Sequence, residues 1–478
     1  MKQPITLFTA LLLATLASVP AAIAPISQTA LVTLHPEKPG AQIPADFLGF
    51  SCEKTQLARE HLQPTNAVVM NLFRNLGAGV LRIGGSSQDS VGWSRTEMNP
   101  PANGPKNSKD KALVIGPAAV DNFYAFAKRV GWKVVYGLNL GANDPAMAAD
   151  EAAYALQAGG PLLLALEIGN EPNLYHEGSK RPPNYGYAQY RQEVESYDRV
   201  ILSKLPHAPL AGPATTFARK WFTDFFADFK TRIVLATAHI YPLAAKEENP
   251  EAPRFATVEN LLSGKTAQNT EKNWLPQLEV SSAGQIPFRI SECNTASSGG
   301  KSGVSDVFAS ALWGTEFLFE VAEHGGAGIN FHGGFKPGGY APIYLFNNRY
   351  RASPLYYSML LFHQAARGRV LPVDCQTTIN VTAHAVLGDD HKLRVVLINK
   401  DLTQPVVASI ASEAPRTKAE VIRLGAPSVT STDGVTLAGT AVAKDGTWTP
   451  QPGLKVPCLN GKCEVTLPAA SAALLTIE

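Results

Sequence analysis

The 478-residue chain is 45% hydrophobic and 17% charged, with a formal net charge of +2. That composition excludes a disordered or fibrous protein and leaves material for two packed cores. Lysines and arginines are scattered, so nothing points to a nucleic-acid partner or an anionic membrane surface; a neutral-to-acidic small or polymeric ligand is expected instead.

Residues 1–24 read as a signal peptide: Lys2, an apolar run from Ile5 to Val19, then the small residues Ala21, Ala22 and Ala24. A bilayer span needs about 20 apolar residues, and neither this run nor any later one supplies them, so a secreted or periplasmic protein without a membrane span is expected. Of the five cysteines, Cys458 and Cys463 flank a turn-forming Leu-Asn-Gly-Lys spacer and are the best disulfide candidates in an oxidising compartment. Cys52 and Cys293 read as small buried hydrophobes. With no CxxC pair and no HExxH, neither a metal site nor another cofactor is expected.

Residues 25–45 contain a strand, Leu31 to Leu34, with no neighbour of its own kind, which suits pairing into a C-terminal sheet. From residue 46 to 367, short apolar runs alternate with amphipathic stretches, the signature of repeated βα units. The expected strands are Phe47 to Ser51, Val80 to Ile83, Trp132 to Leu138, Leu162 to Ile168, Pro209 to Gly212, Ile233 to His239, Pro287 to Ser291 and Ala327 to Phe331. Helical spacing joins Tyr190, Val194, Tyr197 and Ile201; a second helix is expected across Val304 to Val321 and a last one after Pro354. Eight such units predict an α/β fold, a (β/α)₈ TIM barrel. A doubly wound sheet would carry a Gly-rich phosphate turn after its first strand, and Gly49-Phe50-Ser51 is not one. Residues 368–478 alternate in the manner of an all-β sandwich, through Thr378 to Val386, Leu393 to Ile398, Ala419 to Leu424 and Cys463 to Leu467.

Catalytic acids of such a barrel belong at strand exits, where the loops of the open end begin. Two glutamates satisfy this demand. Leu164 to Ile168 runs into Gly169, Asn170, Glu171 and Pro172, the proline ending strand pairing. Ile286 to Ser291 runs into Glu292 and Cys293. Carboxylates facing each other across a barrel mouth are what glycosidic cleavage needs: one protonates the leaving oxygen while the other meets the positive charge developing at the sugar carbon.

The Asn-Glu-Pro of the fourth strand and the Ser-Glu of the seventh resemble the retaining barrel hydrolases of clan A. Together with Leu81 to Ser86 at the second strand, Glu167 to Asn173 at the fourth, Ala238 to Pro242 at the sixth and a small C-terminal β domain, they resemble glycoside hydrolase family 79, the β-glucuronidases and heparanases. The resemblance implies double displacement with Glu171 as general acid/base and Glu292 as nucleophile, Asn170 on the sugar 2-hydroxyl, and a carbohydrate partner bearing β-linked glucuronic acid. Arg82 then resembles the clan's second-strand arginine, which would keep Glu292 ionised; a structural ion pair at the barrel bottom is its other reading.

His239 and Tyr241 end the sixth strand, and either could orient Glu292, although a lone strand histidine is often a satisfied core residue. Gly339 and Tyr340, after the eighth strand, could hold a uronate carboxylate through backbone N–H groups and the phenol, or form an ordinary Gly-rich turn. Glu53 and Asp89 could accept sugar hydroxyls or be solvated loop acids. The leading function is an exo-acting β-glucuronidase. An endo-acting heparanase-like or other clan A glycosidase is the alternative within the chemistry, and a non-catalytic carbohydrate-binding protein the alternative outside it.

Overall fold

The computed structural model describes residues 28–97, 113–411 and 418–478; the expected signal peptide lies outside them. Eight parallel strands close into a barrel: β1 Leu48–Glu53, β2 Val80–Gly84, β3 Lys133–Leu138, β4 Leu163–Ile168, β5 Leu210–Thr216, β6 Ile233–Ile240, β7 Phe288–Cys293 and β8 Gly328–His332. Closure is made by β8 beside β1, with Ile329 opposite Leu48 and His332 opposite Ser51. Burial along these strands is nearly continuous, as a parallel sheet with helices outside and packed side chains inside requires.

Each strand is followed by a helix whose ends the sequence writes locally. Pro145–Gly159 begins at Asp144, whose carboxylate accepts from the Met147 N–H, with Pro145 in the first turn. Pro117–Val130 ends at Gly131 in the left-handed conformation, φ 74°. Tyr190, Val194, Tyr197 and Ile201 form the buried stripe of Tyr187–Lys204. The helix expected from Val304 starts later, at Ala309. Before it, the Asp306 carboxylate accepts from the Gly303 N–H and holds a turn, while the N–H groups of Phe308 and Ala309 donate to Ser431 and Val429 carbonyls of the β domain. The backbone there is given over to the turn and to these bonds with the second domain, so the helix begins only at Ala309.

The C-terminal β-sandwich takes Thr29–Leu34 as one of its strands, parallel to Val406–Ala411 and antiparallel to Val373–Thr377. Ala30, Val32 and Leu34 point into a core shared with Leu393, Val395 and Leu475. Cys458 and Cys463 sit opposite each other on a hairpin and are disulfide-bonded across the Asn460-Gly461 turn, both residues with positive φ. Cys52 and Cys293 are buried and unbonded, and Cys375 is half-buried. No helix among the described residues is long and apolar enough to cross a membrane.

Barrel and sandwich meet at a charged patch. Glu316, Glu320 and Glu323 of the helix Ala309–Glu323 face the sandwich: Lys400 contacts Glu316, and His384 Nδ1 lies 2.7 Å from Glu323 Oε1. Burial and then the neighbouring Glu316 push the Glu320 carboxyl up to about 8. A carboxyl raised above its unfolded value of about 4.3 contributes stability in full below that value. The contribution declines as pH rises and is gone above about 8. Thermal stability is therefore expected to fall from pH 5 to pH 8 in the parent and to fall less in Glu320→Gln; parallel profiles would refute this assignment.

Candidate active site

The end of β4 holds Glu171 in an unusual backbone conformation. Gly169 turns at φ 80°, in the region that favours glycine, and a Cβ there would also meet Leu140 and the Tyr175 hydroxyl at 2.8 Å. Glu171 itself lies in the left-handed region, φ 49° and ψ 53°, with its N–H donating to the Ala214 carbonyl of the β5 segment at 2.9 Å. Such a conformation costs a non-glycine residue of order 1–3 kcal/mol, and the surrounding hydrogen bonds hold it. Pro172 then opens a short helical turn that carries the chain away.

Glu292 reaches the same space by another device. The register between β7 and β6 slips, with Ile290 opposite Ala238 but Glu292 opposite His239. A bulge beside a site re-aims a side chain, and here it turns Glu292 inward. One carboxylate oxygen of Glu171 and one of Glu292 lie within 4.8 Å of each other and of a ring nitrogen of His239.

Arg82 organises the floor. Its Nε donates to Glu167 at 2.6 Å, its Nη1 to Glu292 at 2.6 Å and to Ser51 at 3.1 Å, and its Nη2 to Asn170 Oδ1 at 2.8 Å. Burial alone would weaken the guanidinium's hold on its proton, but Glu167 and Glu292 more than reverse that and raise its pKa. The two readings of Arg82 thus merge: it is an ion pair inside the barrel and also the counter-ion of Glu292. It is fully buried and does not line the cavity, so direct substrate binding by Arg82 is corrected to support of Glu292 and Asn170.

Tyr241 donates to the other Glu292 oxygen at 2.8 Å. Burial would raise the Glu292 carboxyl, yet His332, His239 and Arg82, with the Tyr241 hydrogen bond, hold it well below the ordinary carboxylate range. His239 takes a different part from Tyr241. Its Nδ1 is 3.0 Å from Glu171 Oε1 and 4.0 Å from Glu292 Oε2, so it pairs first with Glu171.

His332, at the end of β8, was not singled out by sequence reasoning, although its strand-exit position was the available signal. Its Nδ1 lies 2.9 Å from Ser51 Oγ and 3.5 Å from Glu292, and its Nε2 3.6 Å from Glu53. Burial lowers its pKa, but Glu292 and then Glu53 outweigh this and raise it. Glu53 lines the cavity and accepts from the Ser87 N–H at 2.7 Å.

Asp89 does not reach the cavity. Its side chain is fully buried, 3.0 Å from Lys180 Nζ, and accepts from the N–H groups of Leu140 and Asn170. A hydroxyl-binding role is corrected accordingly: Asp89 props the backbone just before Glu171. Tyr340 lines the cavity with its ring stacked on Tyr241, whereas Gly339 borders only a neighbouring cavity.

The cavity over Glu171 and Glu292 measures about 790 Å³ and is walled on the Glu171 side by Asn173, Thr216, Phe217 and Trp221. Glu171, His239 and Glu292 have a spacing that a metal ion could bridge. Their atoms are already committed to one another, to Tyr241 and to Arg82, and a fixed guanidinium 2.6 Å from Glu292 opposes a second cation. The arrangement suits proton transfer on one side and an ionised nucleophile on the other.

Residues 383–474 match the family model described as glycosyl hydrolase family 79 C-terminal beta domain. The chain is 26% identical over 307 residues to a β-glucuronidase of Neurospora crassa, covering 56% of this chain and 53% of that protein. A β-glucuronidase of Aspergillus niger is 26% identical over 302 residues. The chain spans about half the length of these two relatives, at 53% and 54%. Heparanase-like protein 3 of Arabidopsis thaliana is 22% identical over 391 residues, 75% of this chain and 69% of that protein. Among solved structures, a 4-O-α-L-rhamnosyl-β-D-glucuronidase from Fusarium oxysporum superposes with a TM-score of 0.77 at 21% identity, over 93% of this chain and 100% of that one. A family 51 arabinofuranosidase from Xanthomonas axonopodis gives 0.68 at 16% identity, over 94% and 100%. At these identities the structural likeness speaks to the fold.

Proposed function

We propose that this chain, a member of glycoside hydrolase family 79, is a secreted retaining β-glucuronidase that removes glucuronic acid from glycans or glycosides. The observation that carries the reading is the approach of one carboxylate oxygen of Glu171 to one of Glu292 within 4.8 Å, too close to leave room for a water between them. Retaining enzymes place their carboxyl groups about 5–5.5 Å apart, whereas inverting ones need about 6.5–9.5 Å to admit a water between them.

Glu292, kept ionised by Arg82 and its histidine neighbours, attacks the anomeric carbon while Glu171 gives its proton to the departing oxygen. The C–O bond to the leaving group breaks as the C–O bond to Glu292 forms. Water, deprotonated by Glu171, then releases the sugar and returns both groups to their starting states. Asn170 has its Oδ1 held by Arg82, which leaves its Nδ2 to donate to the 2-hydroxyl, an interaction that strengthens as the sugar becomes oxocarbenium-like. Tyr340, which lines the cavity, is the group assigned to the uronate, and Glu53 to a ring hydroxyl.

The test is a panel of aryl β-glycosides differing at C5 and C4. Hydrolysis of the glucuronide at a kcat/KM at least about a hundredfold above the glucoside and xyloside is expected, since a site built to pair a polar group rejects analogues lacking it. Equal or greater activity on the glucoside would overturn the glucuronate assignment.

A further inference from the structure

After the loop that carries Tyr340, the chain forms a two-stranded ribbon outside the barrel. Its strands Ile343–Phe346 and Arg349–Ala352 pair antiparallel about Asn347 and Asn348, both at positive φ, a turn that fixes the register of a hairpin. Directly opposed residues share a face, and the register sets Tyr344 against Arg351 and Phe346 against Arg349. The other face is held to the barrel: Ile343 is buried, and the Tyr350 hydroxyl lies 2.8 Å from His61 Nδ1. Aromatic and cationic side chains are thus left together on the outer face. Phe346 is 45% exposed there, with the Arg351 guanidinium 5.6 Å from the centre of its ring.

At the foot of this ribbon a cleft of about 270 Å³, room for a single sugar ring, opens between it and two loops of the sandwich, 432–435 and 441–446. The sandwich wall is fixed from the barrel, since the Val442 N–H donates to the Tyr357 hydroxyl at 2.9 Å and Asn75 Nδ2 donates to the Gly446 carbonyl at 2.8 Å. Arg349, Arg351 and Lys444 line the cleft and are exposed, against one acid, Asp433; none of the four makes an ion pair among the described residues. Unpaired cations gathered at a concave surface attract anions. The cleft shares no lining residue with the catalytic cavity. Tyr344 nevertheless follows the cavity residue Tyr340 by four positions, so at most about 14 Å of chain separates them.

We infer that this cleft and the ribbon face above it form a second, non-catalytic binding site for an acidic glycan. Arg349, Arg351 and Lys444 receive its carboxylates or sulfates, and the exposed part of the Phe346 ring packs against the apolar C–H face of a sugar. Arginines beside aromatic rings suit nucleic acids as well; the choice of a glycan rests on the glucuronidase reading, whereas the surface itself does not. The site contacts no atom of the bond being cut. It holds a polymer beside the barrel mouth and so raises the effective concentration of that polymer's glucuronosyl ends.

The probes are an oligogalacturonate octamer, a dextran sulfate oligomer, a neutral cello-oligosaccharide and a single-stranded DNA octamer, each measured by calorimetry with the catalytic cavity filled by an uncleaved aryl β-thioglucuronide. The two acidic oligosaccharides should bind at least about tenfold more tightly than the neutral one at low salt, with the difference narrowing as salt rises. Whichever binds more tightly identifies carboxylate or sulfate as the preferred anion. The triple variant Arg349→Ala, Arg351→Ala, Lys444→Ala should lose about tenfold or more of that affinity, and Lys444→Glu alone, on the opposite wall, should weaken it in the same direction. Because these side chains are exposed, both variants should cleave a simple aryl β-glucuronide as the parent does. On an acidic polysaccharide with terminal glucuronosyl residues the triple variant should show a raised KM at unchanged kcat. Equal binding of acidic and neutral oligomers, loss of binding when the thioglucuronide is present, or unaltered affinity in the variants would overturn the site. Tightest binding of the DNA would assign the surface to nucleic acid and overturn the glycan. Failure to cleave any glucuronide would overturn the glucuronidase reading, and the calorimetry would still decide the site.

Discussion

Replacing Glu292 by glutamine is expected to reduce kcat/KM on every glucuronide by on the order of 10⁴-fold or more, as loss of a covalent nucleophile does. Glu171→Gln is expected to behave differently. General acid catalysis is worth roughly 10²–10⁴-fold, and its share depends on how much help the leaving group needs. With a nitrophenolate leaving group the first step should survive largely intact while the second, which needs Glu171 as base, becomes slow. A burst of nitrophenol followed by a slow steady state is the expected trace. On an alkyl glucuronide the first step itself should be slow and the burst absent. Identical losses on both substrates would contradict the division of labour between the two glutamates. Because Gln is isosteric with Glu and both sites are hydrogen-bonded, circular dichroism and thermal unfolding should remain near the parent's.

Arg82→Met should damage both stability and activity. The guanidinium meets Glu167 and Glu292 at 2.6 Å each, inside the barrel and away from water. Removing one partner of a buried ion pair leaves an uncompensated charge and typically costs about 3–5 kcal/mol, and here two carboxylates lose the same cation. Glu292 would lose one of the charges that keep it ionised, so its carboxyl should titrate upward and the acid limb of kcat/KM should move to higher pH in whatever fraction folds. Arg82→Lys keeps the charge but cannot serve Glu167, Glu292 and Asn170 at once from a planar fork; it should restore folding better than activity. A methionine variant with parental stability and an unmoved acid limb would show that Glu292 draws its ionisation from His332 and His239 instead.

Much of this architecture could be read in the chain before any coordinates. Strand exits were legible because apolar runs such as Leu163–Ile168 end in residues that forbid further pairing, and Pro172 marks one of them. Both catalytic candidates followed from that rule. The strand at Thr29–Leu34 was legible as an unpaired element, and its alternating burial fits the sandwich it joins. What escaped was pairing between distant elements. Nothing near Asp89 in sequence announces Lys180, and nothing near His332 announces Ser51 or Glu53. The same acid type at the same kind of loop therefore became a cavity wall at residue 53 and a buried backbone prop at residue 89. Arg82 escaped in a subtler way: its two readings were treated as rivals, whereas a five-donor fork serves both. The start of the helix at Ala309 was masked because the apolar residues before it are buried in the core while their backbone bonds to the sandwich.

The claim on which the mechanism turns is that Glu292 attacks the sugar directly. It is tested by following hydrolysis of an aryl β-glucuronide by proton NMR and identifying the anomer of glucuronic acid formed before mutarotation. With one oxygen of each carboxylate within 4.8 Å of the other, two successive inversions should deliver the β-anomer first. Initial release of the α-anomer would mean that water, and not Glu292, reaches the anomeric carbon, and would contradict the account.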